Sequence, residues 1–251
     1  MENYNELIQT ISLAMGASWA SGINLYATLL VLGISAANGA FVLPAGLEVL
    51  SNPMVIGAAG LMYIVEFIAD KTPGVDTGWD GIHTFIRIPA GAMLAAGALG
   101  DVAPAMEITA AILGGSMAAT THAAKAGSRV MINTSPEPFS NWGASISEDV
   151  MVFAGMWAAL NHPALFLVAL VVFILLMIWL LPKLWRGIKR VFGFLGRILG
   201  FSREEFAAKK DQAFPKEKED ALDKLAKLKT LLDSGALSEE EYQEQKAKLL
   251  A

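Results

Sequence analysis

ALFLVALVVFILLMIWLL, residues 164–181, runs for 18 residues without a polar side chain, and Pro163 and Pro182 close it on either side. As a helix it covers most of a bilayer's hydrocarbon core. In water its all-round apolar surface would need burial on every side. Lipid is therefore the expected solvent, and every other residue is read against that background.

The charge pattern along the rest of the chain agrees. Of 251 residues 54% are hydrophobic, and residues 1–182 contain only four basic side chains: Lys71, Arg87, Lys125 and Arg129. The other 15 of the 19 Lys and Arg lie in residues 183–251. The expected organisation is a transmembrane domain at 1–182, a basic amphipathic interfacial helix at 183–201, a charged linker at 202–219 and a helical hairpin at 220–251. There is no cysteine, which excludes disulfides and thiolate chemistry. Residues 1–6, MENYNE, are acidic and lack the basic start of a cleavable signal. No nucleic-acid partner is expected.

The fold class is all-α, a polytopic membrane bundle of about seven elements. Residues 7–47 carry no charge. That leaves room for two short passes with a turn at Ser21-Gly22, or for a break at mid-membrane depth. Further elements are expected at about 53–69, 82–100, 106–131, 145–160 and 164–181. With the N-terminus outside, the outer segments carry Glu2, Glu6, Glu48, Asp101 and Glu107 and no basic residue. Lys71, Arg87, Lys125, Arg129 and the basic tail then fall on the cytoplasmic side, as the positive-inside rule requires. The expected location is a bacterial inner membrane, with the tail in the cytoplasm. A weak internal repeat relates 14–29 to 113–128 and 77–99 to 140–160. Small residues such as Gly22, Gly91 and Gly114 suit close helix packing in lipid or broken helices that line a site.

Charges inside membrane helices are costly and mark sites or pair with each other. Glu66 and Asp70 lie four apart, on one helix face. The segment ADKTPGVDTGWDGIHTFIR (69–87) carries Lys71, Asp76, Asp80, His83 and Arg87. His122, Lys125 and Arg129 share a face, Asn133 continues it, and Glu148 and Asp149 start a later helix. Glu137 joins them from the NTSPEPFSN loop. Three readings stay open. In the first these groups form ion pairs and caps, with Asp80 and Ser145 or Ser147 capping helices. In the second they line a substrate or ion pathway. There His122, Lys125, Arg129, Asn133, His83 and Arg87 bind a small anion or a phosphate-bearing lipid, and Glu66, Asp70, Asp76, Asp80, Glu148 and Asp149 couple protons or ions. In the third, Asp76, Asp80 and Arg87 serve a phosphotransferase or hydrolase with Mg²⁺, although the spacing departs from such motifs. No catalytic residue, metal ligand or resident cofactor is assigned. The excess of acids argues against a purely anion-selective pore.

The tail begins with KLWRGIKRVFGFLGRILG (183–200), a basic amphipathic stretch suited to the anionic inner leaflet. In DALDKLAKLKTLLDSGALSEEEYQEQKAKLLA (220–251), Leu222, Leu225, Leu228 and Leu231 follow helical spacing and Gly235 ends the helix. Ser238 and Glu241 make a capping box for a second helix. Some 30 residues are too few to bury a core alone, so residues 221–250 are expected to pair with copies of themselves or with another protein.

Two resemblances follow. The stretch LAKLKTLLDSGALSEEEYQEQKAKLL (225–250) resembles the short C-terminal domain family, SHOCT, which implies a non-catalytic oligomerisation or docking module. SGINLYATLLVLGI (21–34), EFIADKTPGVDTGWDGIHTFIRIPAG (66–91) and HAAKAGSRVMINTSPEPFSN (122–141) resemble family 4126 of the domains of unknown function. That likeness covers about residues 8–160 and implies a bacterial integral-membrane protein without implying a substrate.

Overall fold

The computed structural model describes residues 2–72, 74–100, 102–134, 138–198 and 216–250. Asp101, Glu137 and most of the expected linker lie outside them. Two compact units divide the chain, residues 1–191 and 192–251. Among the described residues every regular element is a helix.

In the first unit, α1 (Glu2–Ala37) is the hub and packs against α2 (Pro53–Ala69), α3 (Val75–Ala98), α4 (Pro104–Ile132) and α5 (Pro138–Asn161). A short 3₁₀ helix, Ala45–Ser51, precedes α2, and α6 (Pro163–Ile198), whose residues up to 191 belong to this unit, follows α5. Local chemistry explains the boundaries. Gly39, at φ 70°, ends α1; its N–H donates to Ala36 O, and the Ala40 N–H donates to Ser35 O, which satisfies the last carbonyls. Asn52 caps α2 by accepting from the Met54 N–H at 2.8 Å, with Pro53 as the first helical residue. Pro104 and Pro163 are likewise the first residues of α4 and α6.

The turn expected at Ser21-Gly22 is a break inside α1, and it falls at Asn24 (φ −145°, ψ 99°). Ser21 is satisfied within the helix through the Ser18 carbonyl. Gly22 serves close approach instead: a Cβ there would collide with Thr121 and Ala118 of α4. Asn24 has the amide that can cap a restarted helix, and it accepts the Ala27 N–H at 2.9 Å. Gly91 and Gly114 let α3 and α4 touch, and the Ser18 hydroxyl donates to the Gly91 carbonyl at 2.8 Å.

Other expectations need correction. Two helices, Tyr4–Ala37 and Pro163–Gly193, are long and apolar enough to cross a membrane; the pair Ala45–Ser51 and Pro53–Ala69, bent by 69°, makes up to three. Seven spans are therefore not established, because α3, α4 and α5 give part of their length to polar side chains. The interfacial helix expected at 183–201 is no separate element. It continues α6 through Pro182 as far as Ile198, since a single lost backbone bond does not interrupt so long a helix. The caps expected at Asp80, Ser145 and Ser147 lie inside α3 and α5.

Beside an apolar core that includes Leu13, Leu32, Leu94 and Met156, many large apolar side chains lie outside and many charged ones inside. Leu61, Ile64 and Ile68 on α2, Phe85 and Met93 on α3, Ile108 and Ile112 on α4, and Val168, Val172 and Leu175 on α6 are exposed. Glu66, Asp76, Asp80, Arg87 and Arg129 are buried to 1% exposure or less. So many exposed apolar side chains are compatible with a lipid environment.

In the second unit, α7 (Lys216–Asp233) and α8 (Glu239–Leu250) form a hairpin. Residues 216–219, expected in the linker, open α7. Gly235 at φ 72° ends α7, and the Ala236 N–H donates to Leu231 O. The capping box forms as expected: Ser238 N–H donates to Glu241 Oε2 at 3.0 Å and Glu241 N–H to Ser238 Oγ at 3.3 Å.

Candidate functional site

Helical spacing brings four charged rows together. The end of α2 supplies Glu66 and Asp70. One face of α3 supplies Asp76, Asp80, His83 and Arg87, one face of α4 His122, Lys125, Arg129 and Asn133, and α5 Asn141, Glu148 and Asp149. On α2, α3 and α4 these positions recur every three or four residues, so each of those rows lies on one side of its helix.

Arg87 donates from one terminal nitrogen to Glu66 Oε1 at 2.5 Å and from the other to Asp80 Oδ1 at 3.0 Å. Arg129 holds Glu148 Oε2 at 2.7 Å and donates to the carbonyls of Asp70 and Asn141 at 3.0 and 3.1 Å. Lys125 stands between the two arginines. Its Nζ lies 2.7 Å from Asp70 Oδ2, 3.4 Å from Glu66 Oε1, 3.5 Å from Glu148 Oε2 and 3.8 Å from Asp80 Oδ1. It also donates to the Ile23 carbonyl of α1 at 3.1 Å.

This centre holds four carboxylates, Glu66, Asp70, Asp80 and Glu148, against three cations, Arg87, Lys125 and Arg129: −4 + 3 = −1 when all are ionised. Glu66 Oε2, Asp70 Oδ1 and Asp80 Oδ2 are buried without a hydrogen-bond partner. A buried centre with a net charge of −1 is costly unless its charges are well paired.

His122 belongs to the centre as a neutral ring. Its Nδ1 accepts from Arg87 at 3.0 Å, so that nitrogen carries no proton, while Nε2 lies 3.1 Å from the Asp80 carbonyl, which can only accept. His83 is held elsewhere, stacked on Trp79 with ring centroids 4.2 Å apart and bonded to the Tyr26 hydroxyl at 3.1 Å. Asp76 accepts from Gly74 N–H, Thr77 N–H and Asn133 Nδ2, which ties the start of α3 to the end of α4. Asn141 Nδ2 donates to Asn133 Oδ1 at 2.7 Å, extending the link to α5. Asp149 accepts from Asn24 Nδ2 at 3.0 Å.

The centre thus unites Glu66, Asp70, Asp80, Arg87, His122, Lys125, Arg129 and Glu148. Asp76, Asn133 and Asp149 brace its edges, and His83 sits apart. Asp76 and Asp80, weighed for phosphoryl chemistry, each have their own protein partners. Sequence reasoning missed Asn24, Tyr26 and Asn141. Asn24 had a usable signal as the one amide side chain between Gln9 and Asn38. Among the described residues no group of three or more His, Asp or Glu is placed to hold a metal ion.

A family model described as Domain of unknown function (DUF4126) matches residues 11–183, and one described as Short C-terminal domain (SHOCT) matches residues 223–250. Neither the curated proteins nor the solved structures yield a match.

Proposed function

The chain belongs to the DUF4126 family, and from that premise we propose that it is a membrane carrier which binds a small oxyanion, or a phosphate-bearing lipid headgroup, at Lys125 and Arg129 in exchange for protons taken up by Glu66 and Asp70. One observation carries the reading: three cations and four carboxylates from α2, α3, α4 and α5 neutralise one another inside an apolar shell, with one negative charge left over.

At −1 the centre repels an anion, and each of its cations is held by a carboxylate, while Arg87 Nε and Arg129 Nε are buried without a partner. Two protons change the charge to +1 and free Lys125 from Asp70 and Glu66. An oxyanion then restores neutrality, with Arg129 offering a planar fork and Lys125 a point charge. Anion binding is therefore coupled to proton uptake, and it strengthens as pH falls. In this reading the chain lies in a bacterial inner membrane with its N-terminus outside. Support comes from the absence of Lys and Arg in residues 1–70 and their concentration in the tail.

The test is native mass spectrometry of protein released gently from its membrane, beside Lys125→Ala/Arg129→Ala. A co-purifying phospholipid lost in the variant identifies the lipid source. Proton-dependent uptake of inorganic phosphate into phosphatidylcholine vesicles identifies a free solute. Retention of the same ligand by the variant, or uptake that is indifferent to pH, overturns the reading.

The SHOCT match favours a second reading, a membrane scaffold that assembles through residues 223–250. Function would then survive neutralisation of Lys125 and Arg129 and be lost on deletion of residues 221–251.

A further inference from the structure

We propose that one face of α6 binds an anionic phospholipid, with the acyl chains along its apolar part and the phosphate held by Lys183, Arg186 and Arg190. The inference rests on the membrane setting of the carrier reading and not on its ion centre.

The face exists because α6 does not stop at Pro182. A separate helix would set its own register, whereas a continuous one keeps that of the apolar run. Leu165, Val168, Val172, Leu175 and Trp179 follow one another at three or four residues, and each is more than half exposed. Lys183, Arg186 and Arg190 continue the same spacing and are exposed as well. The face therefore turns from apolar to cationic within one helical turn. At that junction the Lys183 ammonium lies over the Trp179 ring, 3.0 Å from its centroid. A tryptophan and a lysine so placed suit the boundary between hydrocarbon and headgroups. From Lys183 to Arg190 the helix rises about 10 Å, so the cations stand through the polar layer instead of spreading over it.

The opposite side of the same turns is packed. A Cβ at Gly127 of α4 would lie 3.5 Å from Leu184 and Ile188, and one at Gly187 would lie 2.8 Å from Met131 Sδ. Leu184, Gly187 and Ile188 thus face α4 and hold the cationic side outward.

Charge decides the occupant. Residues 163–198 contain no Asp or Glu, and among the described residues no carboxylate pairs with Lys183, Arg186 or Arg190. A second copy in the same membrane orientation would bring the same cations against these and repel them. A zwitterionic lipid carries its own ammonium beside the phosphate. A lipid of net negative charge answers both halves: its chains cover the apolar face, and its phosphate meets the cations, with the guanidinium groups offering paired donors.

Thermal unfolding of the full-length protein in neutral detergent tests the proposal, with phosphatidylglycerol or phosphatidylcholine added at equal concentration. Wild type should be stabilised saturably by phosphatidylglycerol and not by phosphatidylcholine, by about 5 °C at a lipid concentration roughly 100-fold above its Kd. Lys183→Gln/Arg186→Gln/Arg190→Gln changes exposed side chains, so it should unfold as wild type does without lipid and lose the phosphatidylglycerol response. An equal response of wild type to both lipids, or an undiminished response of the triple variant, overturns the proposal. So does a dimer that forms through this face and is indifferent to phosphatidylglycerol, which assigns the face to a second copy. Lys125→Ala/Arg129→Ala should keep the response. If the response disappears there and persists in the triple variant, the lipid sits at the ion centre: the α6 site fails while the carrier reading gains its ligand.

Discussion

Asn24 and Lys125 are joined through one backbone carbonyl. The Asn24 side chain takes the Ala27 N–H, and the Ile23 carbonyl left over accepts the Lys125 ammonium at 3.1 Å. A single amide in α1 thereby sets both where the helix breaks and which acceptor meets the central cation. Its other end donates to Asp149, which fastens the break to α5.

Replacing Asn24 tests that junction. Asn24→Ala removes a cap, a loss of about 1–2 kcal/mol, and leaves the buried Asp149 carboxylate without its amide donor, about 1–3 kcal/mol more. The unfolding temperature in detergent should fall accordingly. Asn24→Asp keeps the cap but sets a second carboxylate against Asp149, so it should be no better than the alanine variant at neutral pH and better than it in acid. Equal stability of Asn24→Ala and wild type would remove Asn24 from this role.

Lys125→Ala leaves buried carboxylates uncompensated and should cost about 3–5 kcal/mol. Adding Asp70→Asn removes the nearest carboxylate charge and should return part of that loss. A double-mutant cycle measured by unfolding reads the coupling; additive losses would mean that the 2.7 Å pair contributes nothing.

Close helix packing makes its own forecast. A Cβ at Gly114 would meet Ala95, Ser18 and the Gly91 carbonyl, so Gly114→Ala should destabilise by about 1–3 kcal/mol. Gly57 has open space around it, and Gly57→Ala should be neutral or stabilising by about 0.5–1 kcal/mol. Comparison of the two unfolding temperatures separates packing from helix propensity.

The hairpin should respond to acid. The N–H and hydroxyl of Ser238 hold the Glu241 carboxyl below its ordinary range. A carboxyl lowered in the folded state stabilises above its unfolded pKa, about 4.3, and that contribution disappears as pH falls through the lower folded value. Amide exchange at 239–242 should accelerate over that window in the full-length protein. Ser238→Ala should abolish the pH dependence, and an unchanged profile in that variant would assign it to another group.

Much of the centre was legible because helical periodicity is a local property. Glu66 and Asp70, or His122, Lys125 and Arg129, share a face in any helix, so each row was readable before its neighbours were known. The hairpin was readable for the same reason: Gly235, Ser238 and Glu241 act within a few residues of one another. Errors arose where backbone geometry depends on contacts. Ser21-Gly22 looked like a turn, yet Gly22 is small because α4 presses against it. Pro182 looked like a boundary, yet α6 runs through it.

By itself the sequence determined the helical class, the apolar exterior, the polar rows and the terminal hairpin, because these follow from composition and from spacings of three and four residues. Only the tertiary structure decided which row faces which. It paired Arg87 with Glu66 and Asp80, set Lys125 against Asp70 and the Ile23 carbonyl, and sent His83 to Tyr26. The physical reason is that an ion pair is specified by distance and by the exclusion of water, and both exist only after α1 has brought α2, α3, α4 and α5 around itself.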